Sequence, residues 1–313
     1  MDLSISIVSY NQLANLSRCV ASMQKHMEGI SYEIIVVAYR FSPENLEALR
    51  NMFPEAKIIE SNEIRGFAEN HNLALKSSQG TYCLVLNDDT FFVDNTIDIL
   101  MKTFKSVPDA CFVSPVILNR DRSIQLCGRE RYGLLDWFLS GTPHGIDTHI
   151  SKKTLKEGAI FQTAGVSGCC FMARRETLVD LGFFCEDYFF CPEDVALSVE
   201  AEKKGYGMYV NTAGTIVHEH AATAGPIHDI ILPVALQGNF LFIGRQYNRV
   251  IEMIFRSYTF AVHCVLYLAW HFSRRADKKK IWMRACKNAM RYSFSFLPPK
   301  MLFQKLARSK GML

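Results

Sequence analysis

From Leu3 to Ile117 short apolar runs alternate with amphipathic stretches. Leu3–Ser9 reads as a strand, and Asn11–Met27 as a helix with Leu13, Leu16, Val20 and Met23 at helical spacing. Glu33–Val37 is a continuous Ile/Val run, followed by a helix near Pro43–Met52. The pattern repeats as strand Ala56–Glu60, helix Phe67–Ser77, strand Tyr82–Leu86, helix Asn95–Val107 and strand Cys111–Ile117. Strands of unbroken apolar character separated by helices predict an α/β fold, a mostly parallel twisted sheet covered on both faces. Ligands of such sheets bind beyond the carboxyl ends of the strands.

The pattern then changes. Arg129–Phe161 mixes Gly, Pro, His and Lys around an apolar Leu134–Leu139 patch, and reads as an insertion across the site. Gly165–Met172 has tight small-residue packing. A helix is expected at Glu193–Lys204, then strands at Gly207–Val210 and Thr215–His218. After Gly225 apolar helices studded with Arg and Lys take over. The expected domains are therefore a catalytic unit over 1–225 and a basic, apolar helical appendage over 226–313. Tyr258–Phe272 is the most apolar piece and reads as too short to span a bilayer comfortably. An interfacial helix with a basic rim at Arg274, Arg275 and Lys278–Lys280 fits its flanks, against a buried core helix.

Charge sharpens that division. The net charge is +4, yet residues 244–313 carry 15 Lys/Arg against 2 Asp/Glu, and the preceding part 20 against 29. A basic tail on an acidic body points to an anionic membrane surface as partner, with packing on the body or a homodimer as the competing view. Nucleic acid is not an expected partner. The 10 cysteines lack zinc-type pairing, so Cys169-Cys170 and the Cys185/Cys191 pair are expected as small core residues, reduced in a cytoplasmic setting. No basic region or apolar core precedes Leu3, so no signal peptide is expected.

The candidate chemistry lies in two acidic pairs. Leu84-Val85-Leu86-Asn87-Asp88-Asp89-Thr90 is a buried run ending in two carboxylates, which delivers acids to a sheet rim where a cation can sit. Such pairs also cap helices and close turns. Glu193-Asp194 follows at the start of a helical pattern.

With these features in order, the chain resembles the inverting glycosyltransferase family 2 of GT-A fold, closest to its bacterial rhamnosyltransferase-like branch. The resemblance covers Leu3 to His220. It rests on Ser6-Ile7-Val8-Ser9-Tyr10-Asn11; Arg65-Gly66-Phe67-Ala68 with Asn72; Leu86-Asn87-Asp88-Asp89-Thr90; Gly168-Cys169-Cys170-Phe171-Met172; and Gly182-Phe183 leading to Glu193-Asp194, Gly205-Tyr206 and His218. The resemblance implies that Asp89 ligates Mg²⁺ or Mn²⁺ on a donor diphosphate, with Asp88 binding the donor from behind that ligand or from the ribose side. It implies His218 as a further ligand near the metal, with His220 as rival. Asp194 would be the base that deprotonates the acceptor hydroxyl, and Glu193 would hold the acceptor or orient Asp194. Ser9, Tyr10 and Asn11 would border the nucleotide, with Arg65, Gly66 and Asn72 from the second motif and Gly66 allowing a turn.

Two positions depart from the family. Ala38 stands where relatives carry an acid toward the nucleobase, leaving Tyr39, Arg40 or backbone groups to recognise it. Ala196 stands where many have a further Asp. The expected activity is metal-dependent inverting transfer from a dTDP- or UDP-sugar to a saccharide acceptor, lipid-linked, in bacterial surface polysaccharide synthesis at the cytoplasmic face of the membrane. The rivals are a non-catalytic sugar- or nucleotide-binding homologue and a nucleotidyltransferase. The latter wants a Gly-rich phosphate loop that Ser9-Tyr10-Asn11-Gln12 does not supply.

Overall fold

The computed structural model describes residues 1–131, 133–140, 158–219, 227–273 and 276–312. His220, Arg274, Arg275 and the expected boundary at residue 225 lie outside them. The described residues form two compact units: 1–131, 158–185 and 193–219 in one, and 133–140, 186–192, 227–273 and 276–312 in the other. The second unit thus takes in pieces from the middle of the chain as well as the tail.

In the first unit β1 (Leu3–Tyr10), β2 (Tyr32–Tyr39), β3 (Lys57–Ser61) and β4 (Tyr82–Asn87) alternate with α1 (Leu13–Gln24), α2 (Pro43–Met52) and α3 (Phe67–Lys76). Next come β5 (Thr90–Phe92), α4 (Thr96–Ser106), β6 (Ala110–Leu118) and β7 (Ile124–Leu126). After α5 (Leu134–Ser140), part of the second unit, follow β8 (Ile160–Gln162), β9 (Cys170–Arg174), α6 (Arg175–Leu181), α7 (Glu193–Lys203) and β10 (Gly207–His218). The strand order is β3-β2-β1-β4-β9-β6-β10-β5. Six of these eight share one direction, and β9 and β5 oppose it.

Period-two alternation assigns the two faces. Ile5, Ile7, Val36, Leu84 and Leu86 pack with Leu16 and Val20 of α1, Leu49 of α2 and Leu100 of α4. Cys83, Val85, Phe171 and Ala173 pack on the other face with Leu75 of α3, Leu178 of α6 and Leu197 of α7. Local signals set some ends. Ser42 Oγ accepts from Asn45 N at 3.2 Å and Pro43 opens α2, so that helix begins where the sequence places it. Asn11 and Arg40, at φ 53° and 52°, turn the chain off β1 and β2.

Three expectations change. Gly207–Val210 and Thr215–His218 are one strand, β10, whose pairing with β6 shifts register between Val210 and Thr215. Cys169 and Cys170 are buried, but Cys185 and Cys191 are exposed. The apolar tail helix is longer than Tyr258–Phe272 and, at 24 residues, is not too short to span a bilayer, contrary to expectation; Asn248 caps its start by accepting from Ile251 N at 3.0 Å.

The second unit contains α8 (His228–Gln246), α9 (Arg249–Phe272), α10 (Ala276–Tyr292) and α11 (Pro299–Arg308). Among the described residues α9 is the one helix long and apolar enough to cross a membrane. It pairs with α10 through stacked Trp270 and Trp282, with ring centroids 5.4 Å apart.

Candidate active site

The carboxyl-end rim of the parallel strands gathers most of the residues singled out in the sequence. Ser9 ends β1 buried, while Tyr10 is exposed and tilts against Tyr39 of β2, ring centroids 5.3 Å apart. Tyr39 Oη accepts from Arg65 N at 3.2 Å, and Arg65 Nη1 donates to Ser61 Oγ at 3.1 Å. Asn11 Oδ1 accepts from Ser42 N and Asn45 Nδ2 at 3.1 and 2.9 Å, so it braces the start of α2. Gly66 is extended at φ −80°, not turned, and its N–H donates to Glu69 Oε2 at 3.1 Å to start α3. Ala38 is buried within β2.

Asn72 is buried in α3. It is 1% exposed, its Nδ2 donates to Phe184 O at 2.9 Å and its Oδ1 accepts from Phe184 N at 3.1 Å. Its amide brackets α3 to the segment after α6, since buried main-chain groups need partners.

Asp88 and Asp89 occupy the turn between β4 and β5, which Thr90 Oγ1 closes by donating to Asn87 O at 2.7 Å. β5 pairs antiparallel with β10, placing Thr90 opposite His218. His218 Nε2 then lies 3.1 Å from Asp89 Oδ1. The tautomer follows from the neighbours. Gln125 Nε2 donates to Asn119 Oδ1 at 2.9 Å and to His218 O at 3.4 Å, which turns Gln125 Oε1 toward His218 Nδ1 at 2.6 Å. Nδ1 therefore carries the proton in the neutral ring, and the Nε2 lone pair faces a carboxylate oxygen. Two acceptors at that distance call for a cation or proton between them. Asp88 Oδ2 and Asp89 Oδ1 are buried without a hydrogen-bond partner, a need that a bound cation would meet.

Burial pushes the Asp88 carboxyl up to about 6; the Ser9 hydroxyl, beside it but outside strict hydrogen-bond geometry, pulls the other way, and the charge of Asp89 adds to the rise. This donor set of carboxylate oxygens and an imidazole suits Mg²⁺ or Mn²⁺. Among the described residues no three or more His, Cys, Asp and Glu side chains close into a complete metal site.

Asp194 opens α7 and is clamped. Its Oδ2 accepts from Arg129 Nη2 at 3.1 Å and Gly168 N at 3.2 Å, and its Oδ1 from Val195 N at 2.8 Å. Glu193 beside it is buried. The segment holding Gly168 joins the two acidic centres, because Cys169 O accepts from Asn87 N at 2.9 Å. Burial first, then the charges of Cys170, Asp89, Cys19 and Asp194, drive the Cys169 thiol far above its ordinary range, so it is inert between them. A Cβ at 168 would meet the end of the Phe67 ring at 2.9 Å, so the ring would have to shift for any larger residue. Sequence reasoning missed Gln125 and Arg129. Neither lies in a motif, and their partners stand 93 and 65 residues away.

The chain belongs to glycosyl transferase family 2, whose model matches residues 4–182. It is 26% identical over 148 residues to the N-acetylglucosaminyl-diphospho-decaprenol L-rhamnosyltransferase of Mycobacterium tuberculosis in two strains, a stretch of 45% of this chain and 48% of the relative. The chain thus spans about half the length of the curated relatives it matches. GalNAc-T7, solved with UDP, GalNAc and Mn²⁺, superposes with a TM-score of 0.61 at 14% identity, over 94% of this chain and 56% of that one. The mannosyltransferase PcManGT of Pyrobaculum calidifontis, solved with GDP-Man and Mn²⁺, gives 0.54 at 15% identity, over 100% and 81%. The fold is that of the GT-A glycosyltransferases.

Proposed function

We propose that the chain transfers a sugar from a nucleoside-diphosphate sugar to an acceptor hydroxyl with inversion, using a divalent cation. The observation that carries the reading is the His218 lone pair set against Asp89, joined through the Gly168–Cys169 segment to the clamped Asp194. Asp89 and His218, with Asp88 beside them, would hold Mg²⁺ or Mn²⁺ only together with further ligands from the donor diphosphate. The cation, when bound, neutralises charge on the departing diphosphate.

Asp194 takes the proton of the acceptor hydroxyl at Oδ1, where the Val195 N–H leaves one lone pair open. The acceptor oxygen bonds to the anomeric carbon as the carbon–oxygen bond to the diphosphate breaks, releasing the nucleoside diphosphate. One displacement inverts the centre, and no covalent nucleophile is needed. Arg129 and Gly168 hold the carboxylate in place, and Glu193 orients it or the acceptor. The Tyr10–Tyr39 pair, with Arg65 behind it, offers the nucleobase an aromatic wall where Ala38 supplies no acid.

The Mycobacterium tuberculosis relatives are named for rhamnosyl transfer to a polyprenyl-diphosphate saccharide. That name supports a lipid-linked acceptor; a dTDP- or UDP-sugar donor and surface polysaccharide assembly on the cytoplasmic face of the membrane complete the reading. A non-catalytic homologue would not need both carboxylate centres intact. The test is a panel of nucleotide sugars titrated with and without Mn²⁺ and assayed for nucleoside diphosphate release. Cation-dependent binding and turnover of a dTDP- or UDP-sugar is expected; inertness toward every nucleotide sugar refutes the activity.

A further inference from the structure

Helix α9 is built inside out. Its buried positions are Glu252, Phe255, Arg256, Thr259 and His263, four of them polar. Its opposite face is apolar and open: Val250 67%, Ile254 50%, Val265 66%, Leu268 58% and Phe272 80% exposed. These residues recur at helical spacing and form one stripe about 33 Å long.

The orientation is held by the buried side. Arg256 Nε donates to Glu252 Oε1 at 2.7 Å, and its Nη1 to Ser293 O at 2.7 Å and Ser295 O at 3.0 Å. His263 Nδ1 meets Thr259 O at 2.7 Å. Rolling the stripe inward would strip the Arg256 guanidinium of the Ser293 and Ser295 carbonyls.

The stripe has apolar and cationic neighbours. Phe294, also exposed, lies 5.9 Å from Phe260 between ring centroids, and Arg249 covers the exposed Phe296 at 4.2 Å. At the other end Lys279 Nζ donates to His271 O at 2.5 Å, which brings the Lys278–Lys280 run beside Phe272. Lys278, Lys280 and Lys287 of α10 are exposed.

We propose that this face docks on an anionic lipid bilayer, α9 lying in the headgroup plane with its stripe toward the acyl chains and the α10 lysines on lipid phosphates. Two observations choose this occupant. Residues 244–313 carry 15 basic against 2 acidic side chains, so a second copy would bring like charge onto like charge. The polar side of α9 is packed against protein from Glu252 to His263, which suits a helix lying on a membrane rather than crossing it. The inference stands apart from the transfer chemistry.

The test is co-sedimentation of the full chain with vesicles of phosphatidylcholine alone or mixed with phosphatidylglycerol. Binding to the anionic vesicles alone, weakened by salt, is expected. Changing Lys278, Lys280 and Lys287 to Gln should weaken it about a hundredfold. The exposed pair Val265→Asn and Leu268→Asn should weaken it about tenfold or more, with thermal melting unchanged. A chain that stays in the supernatant with both vesicles, or a Val265/Leu268 variant that binds like the parent, overturns the proposal. A dimer that the same variant converts to monomer, with no vesicle binding, overturns it in favour of a second copy.

Discussion

Replacing Asp194 with Asn tests the proposed base, and the clamp determines how the variant must be measured. Oδ2 takes two donors, Arg129 Nη2 at 3.1 Å and Gly168 N at 3.2 Å, and Oδ1 takes Val195 N at 2.8 Å. An asparagine has one carbonyl oxygen. Turned toward Arg129 and Gly168, it sets its own NH₂ against the Val195 N–H. Turned the other way, it strands two donors. The first choice is cheaper and still costs about 1–3 kcal/mol for the stranded N–H. The ion pair between Arg129 and Asp194 is also lost. Asp194→Asn therefore melts lower than the parent, and part of any activity loss at high temperature is unfolding. The chemical loss is separate: without a base, turnover should fall by about two to four orders of magnitude, or about 3–5 kcal/mol of barrier. The assay is nucleoside diphosphate release at saturating donor, well below the variant's melting midpoint, beside donor affinity by calorimetry. The expected pattern is collapsed turnover with donor affinity kept. Near-parental turnover by the folded variant removes Asp194 from the chemistry and leaves its clamp a purely structural device.

Three further outcomes follow from the same contacts. Gln125→Leu should weaken Mn²⁺-dependent donor binding about 10–100-fold, read by calorimetry, because nothing then fixes the His218 tautomer; unchanged affinity would remove Gln125 from that role. Asp88, raised from 3.8 to about 6, is protonated in the folded chain while the unfolded chain is already ionised. The folded state thus binds the extra proton between these values, and its contribution to stability, about 3 kcal/mol at most, is present below about 4 and lost as pH rises through about 6. Cation-dependent donor binding should rise across the same window, and denaturant melts and binding isotherms at several pH values would show whether the two run in opposite directions. Asn72→Ala should cost at least about 2 kcal/mol in urea unfolding, since the Phe184 N–H and C=O lose their partners, with donor affinity of the folded protein unchanged.

What could be read from the sequence divides along physical lines. Apolar runs with local punctuation were readable: α2 begins and ends where Pro43 and Met52 place it, and Asp88 and Asp89 stand at the end of β4 as expected. The three-residue strands β5, β7 and β8 are too short to show a period; β5 and β8 exist only through pairing with the distant β10, and β7 through its hairpin with β6. The same holds for the site. Acidic pairs announce themselves, but the groups that orient them come from far along the chain and have ordinary sequence surroundings. Gln125 becomes informative only once its amide is seen to be oriented by His218 O and Asn119, and Arg129 only once its guanidinium is seen on Asp194.

Helix α9 shows a limit of a different kind. Periodicity divides a helix into an apolar and a polar face, and ordinary reasoning turns the apolar face inward because burial of apolar surface drives folding in water. Here Glu252, Arg256, Thr259 and His263 face in and Val265, Leu268 and Phe272 face out. The pattern sets the axis of the moment, whereas its sign depends on what the surrounding chain offers. Ser293 and Ser295 present backbone carbonyls, and Gln237 an amide, to the Arg256 guanidinium. Those acceptors lie 19 to 39 residues away and cannot be read from the helix itself. Once they hold the polar face, the apolar face must meet something other than water. The basic excess around it then decides between a bilayer and a protein, so the charge asymmetry legible in the sequence acquires its meaning only from the orientation that the fold imposes.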